Sequence, residues 1–234
     1  VITITQSLEN FESFNKALSN RLLFIEFLRD PFYMFLQSKV LHENVIIGDR
    51  RKDFTLRYFD KDTNNLVPTY FKELDFTKIS YKSLNDYLIA FLEHILLSWK
   101  NIINDHKESN NLLIIPFEQF VLNPTDYLLK MSSFIGEDFE KSNLIAKRIK
   151  QQKIPRKTIT AYKSNKIYQR YGFKKIDSTN IFEERVKYKR YLSESQNIPK
   201  NIIEKLDNLS FKYYEYLLDI NLIDKKNTPL QKII

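Results

Sequence analysis

The clearest chemical feature of the sequence is an arginine placed between a short apolar run and the start of a helix. Residues 22–28 are apolar except for Glu26, and Arg29, Asp30 and Pro31 follow directly. An apolar run of this length is typical of a strand that is buried on both faces of a parallel sheet. Asp30 is suited to cap a helix and Pro31 to its first position, so we expect the strand to lead straight into a helix.

This junction gives Arg29 an anion-binding environment. The N–H groups at a helix start and the positive end of the helix dipole would lie at the carboxyl edge of the sheet, where the guanidinium adds a permanent forked cation. The ligand that best matches these groups is a phosphate. The alternative is that Arg29 pairs with a carboxylate at the edge of the core, such as Glu26 or Asp30, and this stretch alone does not separate the two.

A second chemical feature is a basic segment at residues 141–176. The chain has a net charge of +8, and this segment contains twelve Lys or Arg residues and no Asp or Glu. With its interleaved aromatic side chains it could bind single-stranded nucleic acid or an acidic polysaccharide. The aromatic residues follow no recognised nucleic-acid motif, and a Lys-rich chain readily forms such a run as a solvated face. Nucleic acid is therefore not the expected partner. The aromatic residues are Tyr162, Tyr168, Tyr171 and Phe173.

The composition excludes several classes of site. The 234 residues include no cysteine, which rules out disulfides and thiolate chemistry and is typical of a reducing compartment, so we expect a cytoplasmic protein. The three histidines, His42, His94 and His106, have no metal-binding spacing, and no metal is assigned. No apolar stretch approaches the roughly 18 residues that a membrane span needs, so none is predicted.

The glycine content bears on nucleotide binding. The chain has three glycines, Gly48, Gly136 and Gly172, and none of them forms a Gly-rich phosphate loop. The sequence begins with the strand-like stretch VITITQ and has no initiator Met. We therefore expect that part of the sheet, and any phosphate loop, precede Val1.

The first part of the chain predicts alternating strands and helices. A short helix or turn within residues 8–20 should follow the strand VITIT and precede the strand at 22–28, and a helix should run from Phe32 to Val40. Residues 43–82 carry no sustained period, and we interpret them as an excursion with short helical or strand pieces that forms the acceptor side of a pocket. Ser83 then caps a long amphipathic helix in which His94 is interpreted as a structural residue.

The remaining chain continues this pattern. Residues 112–116 predict a second buried strand. Asn123 is expected to cap, through its side chain, a helix that Pro124 opens and that Gly136 ends in a left-handed conformation. Further helices are predicted at 139–152 and 199–218. The last of them is amphipathic and should present seven residues to a core: Ile202, Ile203, Leu206, Leu209, Tyr213, Tyr216 and Leu217. Strands that alternate with helices indicate an α/β fold, here a single domain with a parallel sheet flanked by helices.

In order and spacing, the chain resembles the sulfotransferases that use 3′-phosphoadenosine 5′-phosphosulfate. The family's strand-Arg-x-Pro-helix-Ser motif, which grips the 3′-phosphate, is matched by FIEFLRDPFYMFLQS. Its later segment of strand, Tyr-Glu-Asp-Leu, Asn- or Asp-Pro, helix and Phe-Leu-Gly is matched by LLIIPFEQFVLNPTDYLLKMSSFIG. Its Arg-Lys-Gly stretch and its final helix fall at PRKTITAY and YLSESQNIPKNIIEKLDNLSFKYYEYL.

The resemblance implies a fold, a reaction and a set of binding residues. The fold is that of P-loop sulfotransferases, of which residues 1–234 would form a single domain without its N-terminal strand and phosphate loop. The reaction is metal-free transfer of a sulfuryl group from the nucleotide donor to a hydroxyl or amine of a small molecule or glycan. The residues implied at the nucleotide are Arg29, Gln37 and Ser38 at the 3′-phosphate, Phe117 near the adenine, and Arg156 with Lys157 closing from the basic segment.

The chain also departs from the family pattern. The family's serine falls at Gln37, so either Gln37 replaces it or Ser38 reaches the phosphate through a small shift of the helix. The Tyr-Glu-Asp-Leu segment reads Phe-Glu-Gln-Phe at 117–120, and Thr158 follows Arg-Lys in place of glycine. The family's catalytic histidine corresponds to about Gln6, which cannot act as a general base. The base either comes from an upstream region or this copy is impaired, and no catalytic residue is assigned.

Two other functions stay open at the level of sequence. The basic segment fits a binding module for polyanions, and the α/β pattern alone fits an unrelated transferase such as a glycosyltransferase.

Overall fold

The computed structural model of the protein describes residues 8, 11–19, 21–42, 57–61, 64–68, 83–137 and 181–224. These residues form a mixed and mainly helical α/β structure. Its elements in chain order are α1 (Phe11–Ala17), β1 (Phe24–Leu28), α2 (Pro31–His42), β2 (Arg57–Asp60), β3 (Asn65–Pro68), α3 (Leu84–Asp105), β4 (Leu112–Pro116), α4 (Phe117–Leu122), α5 (Pro124–Phe134), α6 (Ile181–Glu194) and α7 (Lys200–Asp219).

Strands β1 and β4 pair in parallel. Their register runs from Phe24 opposite Leu112 to Leu28 opposite Pro116, and within the described ranges they form a sheet of two strands. The predicted parallel pairing of residues 22–28 with 112–116 is confirmed, although β1 begins at Phe24. The predicted burial of this strand on both faces is wrong, because Phe27 is 38% exposed. Parallel strands end at the same edge of a sheet, so Arg29 and Phe117, which follow β1 and β4, emerge side by side.

A short hairpin lies within the stretch that the sequence marks as an excursion. Strands β2 and β3 pair in antiparallel fashion, with Asp60 opposite Asn65. Asn64 in the connecting turn has φ 54°, a left-handed conformation that asparagine adopts more readily than most residues. The other residues of 43–82 lie outside the described part of the chain.

The core forms where α2, α3 and α7 pack against one another. All seven residues that the sequence assigns to the apolar face of the last helix are buried in α7, so this prediction is confirmed: Ile202, Ile203, Leu206, Leu209, Tyr213, Tyr216 and Leu217. From α2 and α3, Leu36, Leu88 and Leu92 are fully buried against this face. Among the described helices, α7 contributes the most buried apolar side chains to this core.

The ends of α5 confirm two predictions and correct a third. Pro124 occupies the first turn, and Gly136 takes a left-handed φ of 73° beyond the C-terminus, with its N–H donating to the Ser133 carbonyl at 3.1 Å. The predicted capping hydrogen bond from the side chain of Asn123 is not made. Asn123 also ends α4, where its N–H donates to the Gln119 carbonyl, so it links two helices in direct succession.

Ser83 caps α3 as predicted, and its removal should destabilise the protein measurably. Its extended backbone and its Oγ, which accepts the Asp86 N–H at 3.2 Å, form a standard N-cap. We expect Ser83→Ala to lower the free energy of unfolding by about 1 kcal/mol in urea denaturation. Ser193→Ala, at an exposed position of α6, is the matched control and should change it by less than about 0.5 kcal/mol. Equal losses in both variants would contradict the capping role.

Several expectations concern residues outside the described ranges. These are the strand VITIT, Gln6, the helix at 139–152, the basic segment and, within it, Arg156 and Lys157. In the other direction, the structure shows helix α6, to which the sequence analysis assigns no element. None of the described helices is long and apolar enough to cross a membrane.

Candidate anion-binding site

Arg29 lies at the carboxyl edge of the sheet, between the end of β1 and the start of α2. Its side chain is half-buried, and its Nη1 donates a hydrogen bond to Oε1 of Gln37 at 3.0 Å. Its guanidinium carbon lies 5.1 Å from the centre of the Phe117 ring, a cation–π contact. The structure thus brings together three of the six residues that the sequence assigns to nucleotide binding.

The sequence left open whether Gln37 or Ser38 stands beside Arg29. Gln37 is exposed and contacts Arg29, whereas Ser38 is buried, with 7% of its surface exposed. The helix therefore presents Gln37 to the guanidinium without any shift. Because the amide of Gln37 carries both a donor and an acceptor, it can hold the guanidinium and also donate to an anion.

Asp30 begins α2 from a fully buried position. Its Oδ1 accepts the Phe32 N–H at 2.9 Å, which confirms the predicted helix cap. Its Oδ2 accepts from Nη1 of Arg185 at 3.2 Å and from Oγ of Ser210 at 2.8 Å. Asp30, one of the two carboxylates considered as a partner for Arg29, is thus bonded to a cation from α6.

Arg185 is the buried cation of this cluster. It donates to Ser210 at 2.7 Å and pairs with Asp207 of α7 at 3.0 Å, in addition to Asp30. Its guanidinium carbon lies 4.3 Å from the centre of the Phe32 ring. Burial alone would lower the pKa of Arg185, but the negative charge of Asp30 raises it, so the guanidinium is charged at all ordinary pH values.

Glu118, in the first turn of α4, binds the backbone next to Arg29. Its Oε1 accepts the backbone N–H of Asp30 at 3.0 Å, and its Oε2 lies 3.2 Å from the hydroxyl of Tyr213. The same hydroxyl lies 3.1 Å from the carbonyl oxygen of Leu28. Buried side chains from α4 and α7 therefore bind the backbone on both sides of Arg29.

Two buried carboxyl groups lie close together beneath Arg29. Burial and the negative charge of Asp30 raise the pKa of Glu118 from its usual 4.5 to about 7, although Arg29 acts in the opposite direction. Burial also raises the pKa of Asp30, against the attraction of Arg185. When Glu118 is protonated it can donate to Tyr213, whose hydroxyl then donates to Leu28, so each of these groups keeps a partner.

The sequence analysis missed most of this cluster. It identified Asp30 as a helix cap, but it did not predict the roles of Glu118, Arg185, Ser210 and Tyr213. A signal existed for Glu118, because it directly follows the apolar run 112–117 and, apart from Gln119, its neighbours in sequence are apolar or aromatic. Arg185 and Ser210 gave no such signal, since their partners lie on distant elements.

Comparisons of the chain with protein-family models, with curated proteins and with solved structures found no match. In the part of the chain that the structure describes, no group of three His, Asp or Glu side chains is placed to hold a metal ion.

Proposed function

We propose that the protein is a sulfotransferase that takes a sulfuryl group from 3′-phosphoadenosine 5′-phosphosulfate and transfers it to a hydroxyl or amine acceptor. The observation that carries this proposal is the position of Arg29, held between Gln37 and Phe117 at the carboxyl edge of parallel strands. In open α/β sheets, ligands bind at this edge.

The arrangement suits the 3′-phosphate, the group that distinguishes this donor from other adenine nucleotides. A planar guanidinium can donate two parallel hydrogen bonds to a phosphate, and Gln37 and Phe117 restrict the orientation of the Arg29 guanidinium. The N-terminal end of α2, which starts two residues after Arg29, adds the positive end of its dipole. It does not offer the N–H groups that the sequence led us to expect, because Pro31 has none and those of Phe32 and Tyr33 donate to Asp30. Phe117 offers an apolar face beside the phosphate, which suits the adenine.

The proposed reaction is a single in-line displacement at sulfur. The acceptor oxygen or nitrogen forms a bond to sulfur as its proton leaves to a base, and the bond from sulfur to the bridging phosphate oxygen breaks. The electron pair of that bond goes to the departing 3′,5′-adenosine bisphosphate. In this proposal the described residues bind and orient the nucleotide, so that the reactants meet in a fixed geometry.

The proposal is tested by titrating 3′,5′-adenosine bisphosphate and 5′-adenylate into the intact protein that carries this chain, with calorimetry as the readout. We expect the bisphosphate to bind at least about tenfold more tightly, because only it places a charged group on Arg29. Arg29→Lys keeps the charge but loses the forked pair of donors. It should lower the affinity for the bisphosphate roughly tenfold and leave the affinity for 5′-adenylate unchanged.

Arg21→Lys is the matched control, since Arg21 is exposed and precedes β1. It should bind both nucleotides as the unaltered protein does. Equal affinities for the two nucleotides in the unaltered protein would contradict the proposal. If those affinities also fell steeply with salt, the result would favour a general polyanion-binding module.

A further inference from the structure

The backbone around Arg29 is bound by two buried side chains that do not belong to the ligand-facing surface. Glu118 accepts the N–H of the residue after Arg29, and Tyr213 donates toward the carbonyl of the residue before it. Glu118 is 1% exposed and Tyr213 is fully buried. The two side chains also lie within hydrogen-bond distance of each other, so they act on Arg29 as one unit.

We propose that Glu118 and Tyr213 are positioning residues for Arg29, and that the charge on Glu118 sets the affinity of Arg29 for a phosphate group. The inference deepens the proposed function and rests on it for the nature of the ligand, the 3′-phosphate of an adenine nucleotide. Neither residue needs to touch that ligand. Glu118 acts on Arg29 through its hydrogen bond to the Asp30 backbone and through the electrostatic field of its charge.

The titratable groups that act on Glu118 come from β1, α2, α6 and α7. They include the buried hydroxyls of Tyr33 and Tyr214, whose pKa values are raised by burial and in part by the charge of Glu118. Asp30, at the start of α2, contributes a negative charge that disfavours ionisation, and Arg29, at the end of β1, contributes a positive charge that favours it. Tyr213 of α7 supplies a hydroxyl, and Arg185 of α6 acts through its bond to Asp30. Burial adds to the effect of Asp30 and raises the pKa of Glu118 to about 7, so the carboxyl changes charge near neutral pH.

A phosphate on Arg29 and a negative charge on Glu118 must oppose each other. The phosphate offsets the positive charge that favours ionisation of Glu118, so binding should be accompanied by proton uptake. By linkage, ionised Glu118 must weaken phosphate binding by the same factor. At the effective dielectric of a partly buried site, two charges within about 10 Å interact strongly enough for a change of roughly tenfold.

The decisive variant is Glu118→Gln, which has nearly the same shape and keeps an acceptor for the Asp30 N–H but cannot ionise. The affinity for 3′,5′-adenosine bisphosphate is measured in both proteins at about pH 6 and about pH 8.5, and the ratio of the two affinities cancels the titration of the nucleotide itself. We expect the affinity of the unaltered protein for the bisphosphate, relative to that of Glu118→Gln, to fall roughly tenfold between these two pH values. A constant ratio would overturn the role of the charge.

A second pair of variants tests positioning. Tyr213→Phe removes the hydroxyl beside Leu28. In folded protein it should lower the affinity for the bisphosphate about threefold to tenfold. Tyr216→Phe is the matched control, because its hydroxyl, also on α7, bonds α3 at the Lys100 carbonyl and Asn104. It should bind normally. Equal affinities in the two variants would overturn the positioning role of Tyr213.

A readout without ligand separates this inference from the proposed function. The amide proton of Asp30 donates to Glu118, so its NMR shift should follow the charge of Glu118 with a step near neutral pH, and Glu118→Gln should remove that step. If the step is present but no bisphosphate binds, the proposed function fails and the coupling between Glu118 and this backbone holds. If the step is absent, the present inference fails.

Discussion

Replacement of Arg185 by methionine is expected to lower the free energy of unfolding by about 3–5 kcal/mol. Methionine keeps an apolar stem against the Phe32 ring, but it removes the cation from Asp30, whose side chain is fully buried. The carboxyl group would then have to bind a proton, or remain charged with neutral partners alone, namely Ser210, Tyr214 and the Phe32 N–H. Urea denaturation at neutral pH measures the loss.

Arg190→Met provides the matched control for this prediction. Arg190 also lies on α6, but it is 69% exposed and its pair with Glu194 spans 4.0 Å, so its loss should change stability by less than about 1 kcal/mol. Combining Arg185→Met with Asp30→Asn removes both charges and should recover part of the loss, since an amide can still accept from Phe32 and donate to Ser210. A loss in Arg185→Met no larger than that in Arg190→Met would show that the buried pair contributes little.

The free energy of unfolding should fall as pH rises toward neutrality. In the folded protein the pKa of Glu118 is raised from 4.5 to about 7, so between these values the folded chain binds a proton that the unfolded chain releases. The stability contributed by this proton is fully present below the unfolded pKa and is lost as pH rises through the folded one. The expected loss between about pH 4.5 and pH 7 is about 3 kcal/mol, measured by urea denaturation at a series of pH values.

Glu118→Gln isolates the contribution of this carboxyl group. Because the amide is neutral at every pH and keeps the acceptor for Asp30, the variant should match the unaltered protein near pH 5 and exceed its stability near pH 8. Glu204→Gln is the control, because Glu204 is 60% exposed on α7. The free energy of unfolding of this variant should change with pH as it does in the unaltered protein. A slope that survives Glu118→Gln would assign the pH dependence to other groups, with Asp30 the first to examine because burial raises its pKa as well.

Local signals predicted the elements that carry Arg29. The apolar run ending at Leu28, the cap at Asp30 and the apolar run at 112–116 each depend on neighbours in sequence, and the structure confirms them. The apolar face of α7 was equally readable, because its period of 3.6 residues is a property of one helix. These elements place Arg29 and Phe117 together without any knowledge of the remaining contacts.

The polar cluster beneath the site was not predictable in the same way. Arg185 and Ser210 lie 155 and 180 residues after their partner Asp30, and nothing in the local sequence of α6 distinguishes Arg185 from the other basic residues of that helix. Only packing of α6 and α7 against the start of α2 makes one of these basic residues buried and the other three exposed. The missing cap at Asn123 was not predictable from the local sequence either. Asn123 ends α4 directly before α5 begins, and its side chain makes no capping hydrogen bond to α5.

The bond between Tyr213 and the Leu28 carbonyl also sets an order of events during synthesis. A chain leaves the ribosome from its N-terminus, so Arg29 emerges long before Tyr213. Tyr213 lies 185 positions after Leu28 in the sequence, and it completes the surroundings of Arg29. Until α7 has been released, the carbonyl of Leu28 must be satisfied by water and Glu118 lacks its hydroxyl partner. A nascent chain that stops short of α7 therefore carries Arg29 without the groups that hold it in place.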